Sequence, residues 1–259
     1  MITSWEAMNW AKNDGQDVAM ILLDFEKAYD RIEWGFVTGM LKAFGFPEYY
    51  CKWINVLFKD VSTVIDVNGC LLELIVLERL IRKGFLIAPL LFVIATDALF
   101  YILRAKELGP PLKGISLPNG ELLLNAQFVD DTSLFLGLSE ENFENAFKRI
   151  NFFCMASGSK ISPSKSNVLG WSIDPPDWLA SKGWQWSGPN QIVRYLGIPF
   201  SVEPNLNKMW DWVYGKINKK HLKWQTHSLS FAGRLQVVQK VLSSHHCFLL
   251  QARCFLILM

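Results

Sequence analysis

The segment "AMILLDFEKAYDRIEW", residues 19–34, decides how this chain is read. An apolar run of strand length stops at Asp24, and a charged, aromatic stretch with helical spacing follows. A carboxylate at the carboxyl end of a buried strand has its oxygens at the sheet edge, fixed by rigid backbone rather than by a loop. A second such feature lies downstream. "ELLLNAQFVDDTSLFLG", residues 121–137, reads as a β-hairpin with Asp130 and Asp131 at its tip. Taken singly, Asp24 serves equally well as a helix N-cap and the other two as turn residues. Brought together, three carboxylates repel one another unless divalent cations sit between them. Oxygen donors without His or Cys select magnesium or manganese, and two such ions about 3.5 to 4 Å apart form the clamp of in-line phosphoryl transfer.

With 51% hydrophobic and 19% charged residues, the 259-residue chain has the apolar surface for a packed core and is not disordered. A formal net charge of +2 names no partner, so any basic signal is local. Cys51, Cys70, Cys154, Cys247 and Cys254 show no C-x-x-C pairing and no histidines at zinc spacing, which predicts buried, reduced thiols. The first residues, "MITSWEAMNWAKNDG", resemble neither a signal peptide nor a transit peptide. Together these predict an intracellular protein, nuclear or cytoplasmic. Residues 85–103, "FLIAPLLFVIATDALFYIL", imitate a membrane span. Asp97 near its middle would cost about 2.5 to 3.5 kcal/mol on insertion, and Pro89 suits a helix start, so a core helix and no membrane partner are expected.

The pattern predicts a helix over 4–13, a strand over "VAMILL", helical spacing from Phe25 to the stop at Gly45 and Pro47, and a helix over 48–58. "STVIDVNGCLLELIVLE" alternates around Asn68 and Gly69 as a hairpin does. An amphipathic helix over 139–156 carries Phe143, Ala146, Phe147 and Ile150 on one face. Residues 157–189 look irregular, "IVRYLGIPF" reads as a short strand pair or a turn, and the chain is helical again from Lys208. "KINKKHLKW" sets Lys216, Lys219, Lys220 and Lys223 on one helical face, which suits either a nucleic-acid phosphate backbone or plain solvent.

Four stretches, "LLDFEKAYDRIEW", "QFVDDTSLF", "ASGSKISPSKS" and "YLGIPF", occur in this order and resemble motifs of the reverse transcriptase of non-LTR (LINE-type) retrotransposons, plant elements in particular. The resemblance implies an α+β right-hand polymerase palm with partial fingers and a truncated helical thumb, divided as residues 1–205 and 206–259. It implies RNA-directed DNA synthesis with magnesium or manganese, an RNA template, a DNA primer and deoxynucleoside triphosphates. Asp24, Asp130 and Asp131 become the catalytic metal ligands, joined by the Phe25 backbone carbonyl. Tyr29 aligns with the aromatic gate that excludes a 2′-hydroxyl, although a half-buried helix aromatic would sit there equally well. Lys83 and Gly84 fall at the nucleotide, Tyr195, Leu196 and Gly197 in the primer grip, and the four lysines on the template and primer.

The chain also departs from the family pattern R-Q-G-x-P-L-x-P: it reads "RKGFLIAP", with Lys83 for Gln and Leu86 for Pro, while Gly84 and Pro89 remain. The basic fingers segment expected upstream of the first motif is not seen, nor are endonuclease or RNase H regions. Sequence therefore predicts an impaired polymerase fragment. The competing expectation is a noncatalytic retrotransposon remnant that only binds nucleic acid or is vestigial.

Overall fold

The structure is a computed structural model that describes residues 4–77, 79, 81, 86–128, 131–203, 205–225, 230–237, 239 and 240. In chain order the elements are α1 (Ser4–Asn13), β1 (Val18–Leu23), α2 (Ala28–Arg31), α3 (Trp34–Ala43), α4 (Glu48–Phe58), β2 (Ser62–Thr63), β3 (Asp66–Val67), β4 (Cys70–Leu71), β5 (Ile75–Val76) and α5 (Ala88–Arg104). They continue with β6 (Ile115–Ser116), β7 (Leu122–Leu123), β8 (Asn125–Phe128), β9 (Asp131–Gly137), α6 (Glu140–Ser157), β10 (Asn167–Leu169), α7 (Asp177–Ala180) and β11 (Gln185–Ser187). β12 (Val193–Tyr195), β13 (Ile198–Phe200), α8 (Leu206–Gln225) and α9 (Phe231–Val237) complete the order.

One sheet organises the first compact unit, residues 1–170 with 174–186. Its strand order is β11-β10-β1-β9-β8, so β1 is central and antiparallel to both neighbours. Both faces of β1 are buried, Met20 as fully as Ala19 and Ile21, which explains why "VAMILL" is a continuous apolar run rather than an alternating one. Ala19, Ile21, Leu23 and Phe25 face a core built with Leu99 and Leu103 of α5 and Phe143, Ala146, Ile150 and Phe153 of α6. A second cluster joins Val37 and Leu41 of α3, Cys51 and Ile54 of α4, and Leu91, Phe92 and Ala95 of α5.

α5 is the apolar stretch that imitates a membrane span. Its Ala88, Leu91, Phe92, Ala95, Ala98, Leu99 and Leu103 are buried in the protein, and no described helix is long and apolar enough to cross a membrane. The C-terminal carbonyls of α5 are capped from a distance. Arg149 of α6, 1% exposed, donates through Nη1 to the carbonyls of Leu103 (2.6 Å) and Ile102 (3.4 Å) and through Nη2 to those of Pro110 (2.8 Å) and Gly109 (3.0 Å). The last turn of a helix lacks intrahelical donors for its carbonyls; that of Ile102 also accepts the Ala105 N–H (3.3 Å), and Arg149 supplies a donor to Leu103.

Several expectations change. The helix predicted from Phe25 is two helices, separated at Ile32 and Glu33, because the Glu33 N–H bonds the Ser157 carbonyl (3.0 Å) and Glu33 bridges Arg79. Lys27, at φ 47°, makes the turn from β1 into α2 in a left-handed conformation that a residue with a Cβ rarely adopts. The hairpin centred on Asn68 and Gly69 forms, with both residues at positive φ, but as two-residue ladders: β3 with β4, and β2 with β5. It is exposed, and so is Cys70, against the expectation of a buried thiol. Among the described cysteines Cys51 is buried, and burial pushes the half-buried Cys154 thiol up to about 11, which keeps it protonated. The stretch expected to be irregular, 157–189, supplies β10 and β11 on one side of β1. β10 is only three residues long, and Gly170 follows it where a Cβ would run into the ring of Trp186.

The second compact unit comprises residues 171–173 and 187–259. In it β12 and β13 form a hairpin whose turn residues, Leu196 (φ 50°) and Gly197 (φ 84°), suit the twist of a two-residue connection. Tyr195 packs edge-on against Phe200, 5.5 Å between ring centres.

Candidate polymerase active site

The two described aspartates of the predicted triad meet through strand register. Asp24 follows β1 directly, and Asp131 opens β9. Their strands pair from Val18 opposite Gly137 to Leu23 opposite Thr132, and one further residue sets Asp24 beside Asp131. Alternation fixes the face. Since Leu23 and Phe25 point into the core beneath α5 and α6, Asp24 stands on the opposite face with Met20 and Leu22, where β9 contributes Phe135, Ser133 and Asp131. Asp24 is half-buried and Asp131 exposed. Asp131 thus belongs to the ladder, paired with Phe128 of β8, rather than to the hairpin tip. Asp130 lies outside the described residues, as do Lys83 and Gly84.

On its other side Asp24 is held by the segment that leads into β10. The Ser162 N–H donates to the Asp24 carbonyl (2.8 Å), and the Asp24 N–H donates to Ser166 Oγ (3.0 Å). Ser166 Oγ in turn donates to the Ser162 carbonyl (2.8 Å), which also accepts the backbone N–H groups of Ser166 (3.0 Å) and Lys165 (3.1 Å). Phe25 bridges Ile161, the Glu26 N–H bonds the Lys160 carbonyl (2.8 Å), and the Lys160 ammonium pairs with the Glu26 carboxylate (3.2 Å). Because Asp24 and Glu26 spend backbone groups on this segment, alternation turns the Phe25 carbonyl between them away from it. Sequence reading missed Ser162 and Ser166. Their signal was the serine-rich "SPSKS", since serine hydroxyls commonly bond nearby backbone.

The donor set suits a hard divalent ion: two carboxylates from adjacent strand ends and a backbone carbonyl. Among the described residues no three His, Cys, Asp or Glu converge, so Asp130 is needed to complete a triad. Tyr29, in α2, is half-buried, stacks on Phe92 (4.4 Å between ring centres, 21° between planes), and its carbonyl accepts the Ile81 N–H (2.8 Å). In the second unit, Lys216 places its Nζ 3.6 Å from the ring centre of Trp212, and Lys219 is exposed. Lys220 and Lys223 are on the same helix, with side chains outside the described ones.

A central antiparallel strand ending in one carboxylate, beside a hairpin carrying another, defines a polymerase palm. The chain belongs to the reverse transcriptase (RNA-dependent DNA polymerase) family, whose profile residues 2–200 match. It is 24% identical over 246 residues to the Transposon TX1 uncharacterized 149 kDa protein of Xenopus laevis, covering 92% of this chain and 18% of that protein. It is 23% identical over 234 residues to the retrovirus-related Pol polyprotein of the type-1 retrotransposable element R2 of Popillia japonica, covering 83% of this chain and 38% of that one. With these relatives it is a reverse transcriptase domain of the non-LTR, LINE-type group, and it spans well under half the length of either. The fold resembles the telomerase of Candida albicans, solved with the TWJ fragment of telomeric RNA, at a TM-score of 0.50 and 10% identity over 83% of this chain and 36% of that one. It also resembles the apo telomerase of Candida tropicalis, at 0.51 and 9% over 82% and 38%. The likeness establishes the α+β palm fold. The family uses divalent metal ions.

Proposed function

We propose that this chain carries the nucleotidyl-transfer centre of an RNA-directed DNA polymerase, with Asp24, Asp130 and Asp131 as ligands of magnesium or manganese. The observation that carries the reading is the side-by-side placement of Asp24 and Asp131 at the ends of two paired strands. Ions held there would activate a primer hydroxyl and steady the leaving pyrophosphate. The aspartates fix that position, and the Phe25 carbonyl adds an oxygen beside it. Residues 1–205 act as palm and part of the fingers, and residues 206–259 as thumb. The turn Tyr195–Gly197 and the lysines of α8 hold primer and RNA template, with Lys219 and its neighbours on phosphates. Lys216, resting on Trp212, presents its charge less freely.

Manganese binding tests the site directly. Asp131→Asn should weaken binding about tenfold or more, whereas Glu141→Gln should leave it unchanged, since α6 packs on the other face of the sheet. Equal affinities measured by calorimetry would remove the metal site. A second expectation concerns Tyr29, proposed as the gate beneath the sugar. Tyr29→Val should raise ribonucleotide over deoxynucleotide incorporation about tenfold, a change equal to roughly 1.4 kcal/mol of discrimination. Unchanged discrimination, alongside lower thermal stability, would make the stack on Phe92 its whole role.

The noncatalytic reading is favoured by "RKGFLIAP": Leu86 is 94% exposed where the family pattern has a proline, and Lys83 replaces an amide. An amide bonds in a fixed direction, and a lysine is a flexible point charge.

A further inference from the structure

We propose that Ser166 is the positioning residue of this site, its buried hydroxyl locking the backbone of Asp24 to the Ser162–Ser166 turn; this rests on the metal reading of Asp24 given above. Ser166 is fully buried and Ser162 nearly so. The hydroxyl works in both directions, accepting from the Asp24 N–H and donating to the Ser162 carbonyl, while Ser162 returns a bond to the Asp24 carbonyl. Both backbone groups of one aspartate are therefore tied to one turn. Only a group that is donor and acceptor at once closes this circuit, and among side chains of this size that means serine or threonine.

The bonds matter because Asp24 lies just past the last residue of β1 that pairs with β9. Leu23 is still laddered to Thr132, whereas Asp24 lies past that ladder and takes its backbone hydrogen bonds from the Ser162–Ser166 turn, next to the bridge of Phe25 with Ile161. A ligand carboxylate is useful only within a narrow range of positions, and groups that orient metal ligands are worth about 10- to 100-fold in affinity. The clamp also couples the site to Lys165, whose N–H shares the Ser162 carbonyl, so a shift of this turn is a shift of Asp24.

The test compares Ser166→Ala and Ser166→Thr with Ser133→Ala. Ser133 is the control. It is equally buried, lies on the same sheet face as Asp24, and among the described residues its hydroxyl has no hydrogen-bond partner. Two quantities are read: amide hydrogen exchange at Asp24, and manganese affinity by calorimetry. Ser166→Ala should speed exchange at Asp24 and weaken manganese binding, each about tenfold, with Ser166→Thr restoring both and Ser133→Ala changing neither. Parental exchange in Ser166→Ala overturns the clamp. Faster exchange with parental manganese affinity, in a protein where Asp24→Asn does lose manganese, overturns the positioning role alone. If Asp24→Asn itself binds manganese like the parent, the metal reading fails first and takes the positioning role with it.

Discussion

Asp24→Asn should lower primer extension on a poly-rA template by about a thousandfold or more, the scale expected when a group that organises transition-state charge is lost. The substitution keeps the shape of the side chain and its place at the end of β1, and it removes a negative charge from a site where Asp131 is the neighbour one strand away. The measurement is best made in a protein also carrying Lys83→Gln and Leu86→Pro, which restores the family pattern in "RKGFLIAP". Misplacement of a reacting group by an ångström costs on the order of a hundredfold, and that is the gain expected from the restoration. Robust extension by the Asp24→Asn protein would end the assignment of β1 to the catalytic centre. Extension by the natural chain that is as fast as in the restored protein, and lost in Asp24→Asn, would show that Lys83 and Leu86 are harmless.

Arg149→Ala should destabilise the first unit by about 1.5 to 3 kcal/mol, the scale of losing buried hydrogen bonds to a charged group. The guanidinium bonds four carbonyls, two at the end of α5, where that of Ile102 also accepts the Ala105 N–H, and two in the exposed turn after it. Leaving the carbonyl of the buried Leu103 without this donor costs more than the missing attraction alone. Urea titration followed by far-UV circular dichroism reads the effect. Arg149→Lys should recover part of it, since an ammonium has three donors but cannot span the fork of the guanidinium. A loss below about 1 kcal/mol, the range of ordinary surface substitutions, would mean that the carbonyls are satisfied without Arg149.

Arg149 also shows where sequence reading stops. The helix carrying it was legible from Phe143, Ala146 and Ile150, yet an arginine on an amphipathic helix looks like a solvent residue until α5 is packed against it. Long periodic segments were readable because their pattern is local: β1, α4, α5 and α6 lie where apolar spacing, Pro47, Pro89 and Ser139 put them. β10 was not, because three residues carry no period and its pairing with Met20, Ile21 and Leu22 is distant in sequence. The break at Ile32 has the same origin, since the carbonyl that takes the Glu33 N–H belongs to Ser157. At the site, the carboxylates announced themselves by type and position. The serines that hold Asp24 did not, because a hydroxyl's partner is set by the fold.

The central place of β1 has a consequence for how the protein is made. Its partners, Thr132–Gly137 and Asn167–Leu169, are synthesised long after it. At about 5 to 20 residues per second, a ribosome needs roughly 7 to 30 s to pass from Leu23 to Leu169. During that interval "VAMILL" is an unpaired apolar strand with both edges open, the kind of segment that sticks to copies of itself and that chaperones shield. The strand that leads into Asp24 is thus also a point at which the nascent chain is exposed to aggregation, and pausing of translation before residue 132 should lower the yield of folded protein more than pausing after residue 169.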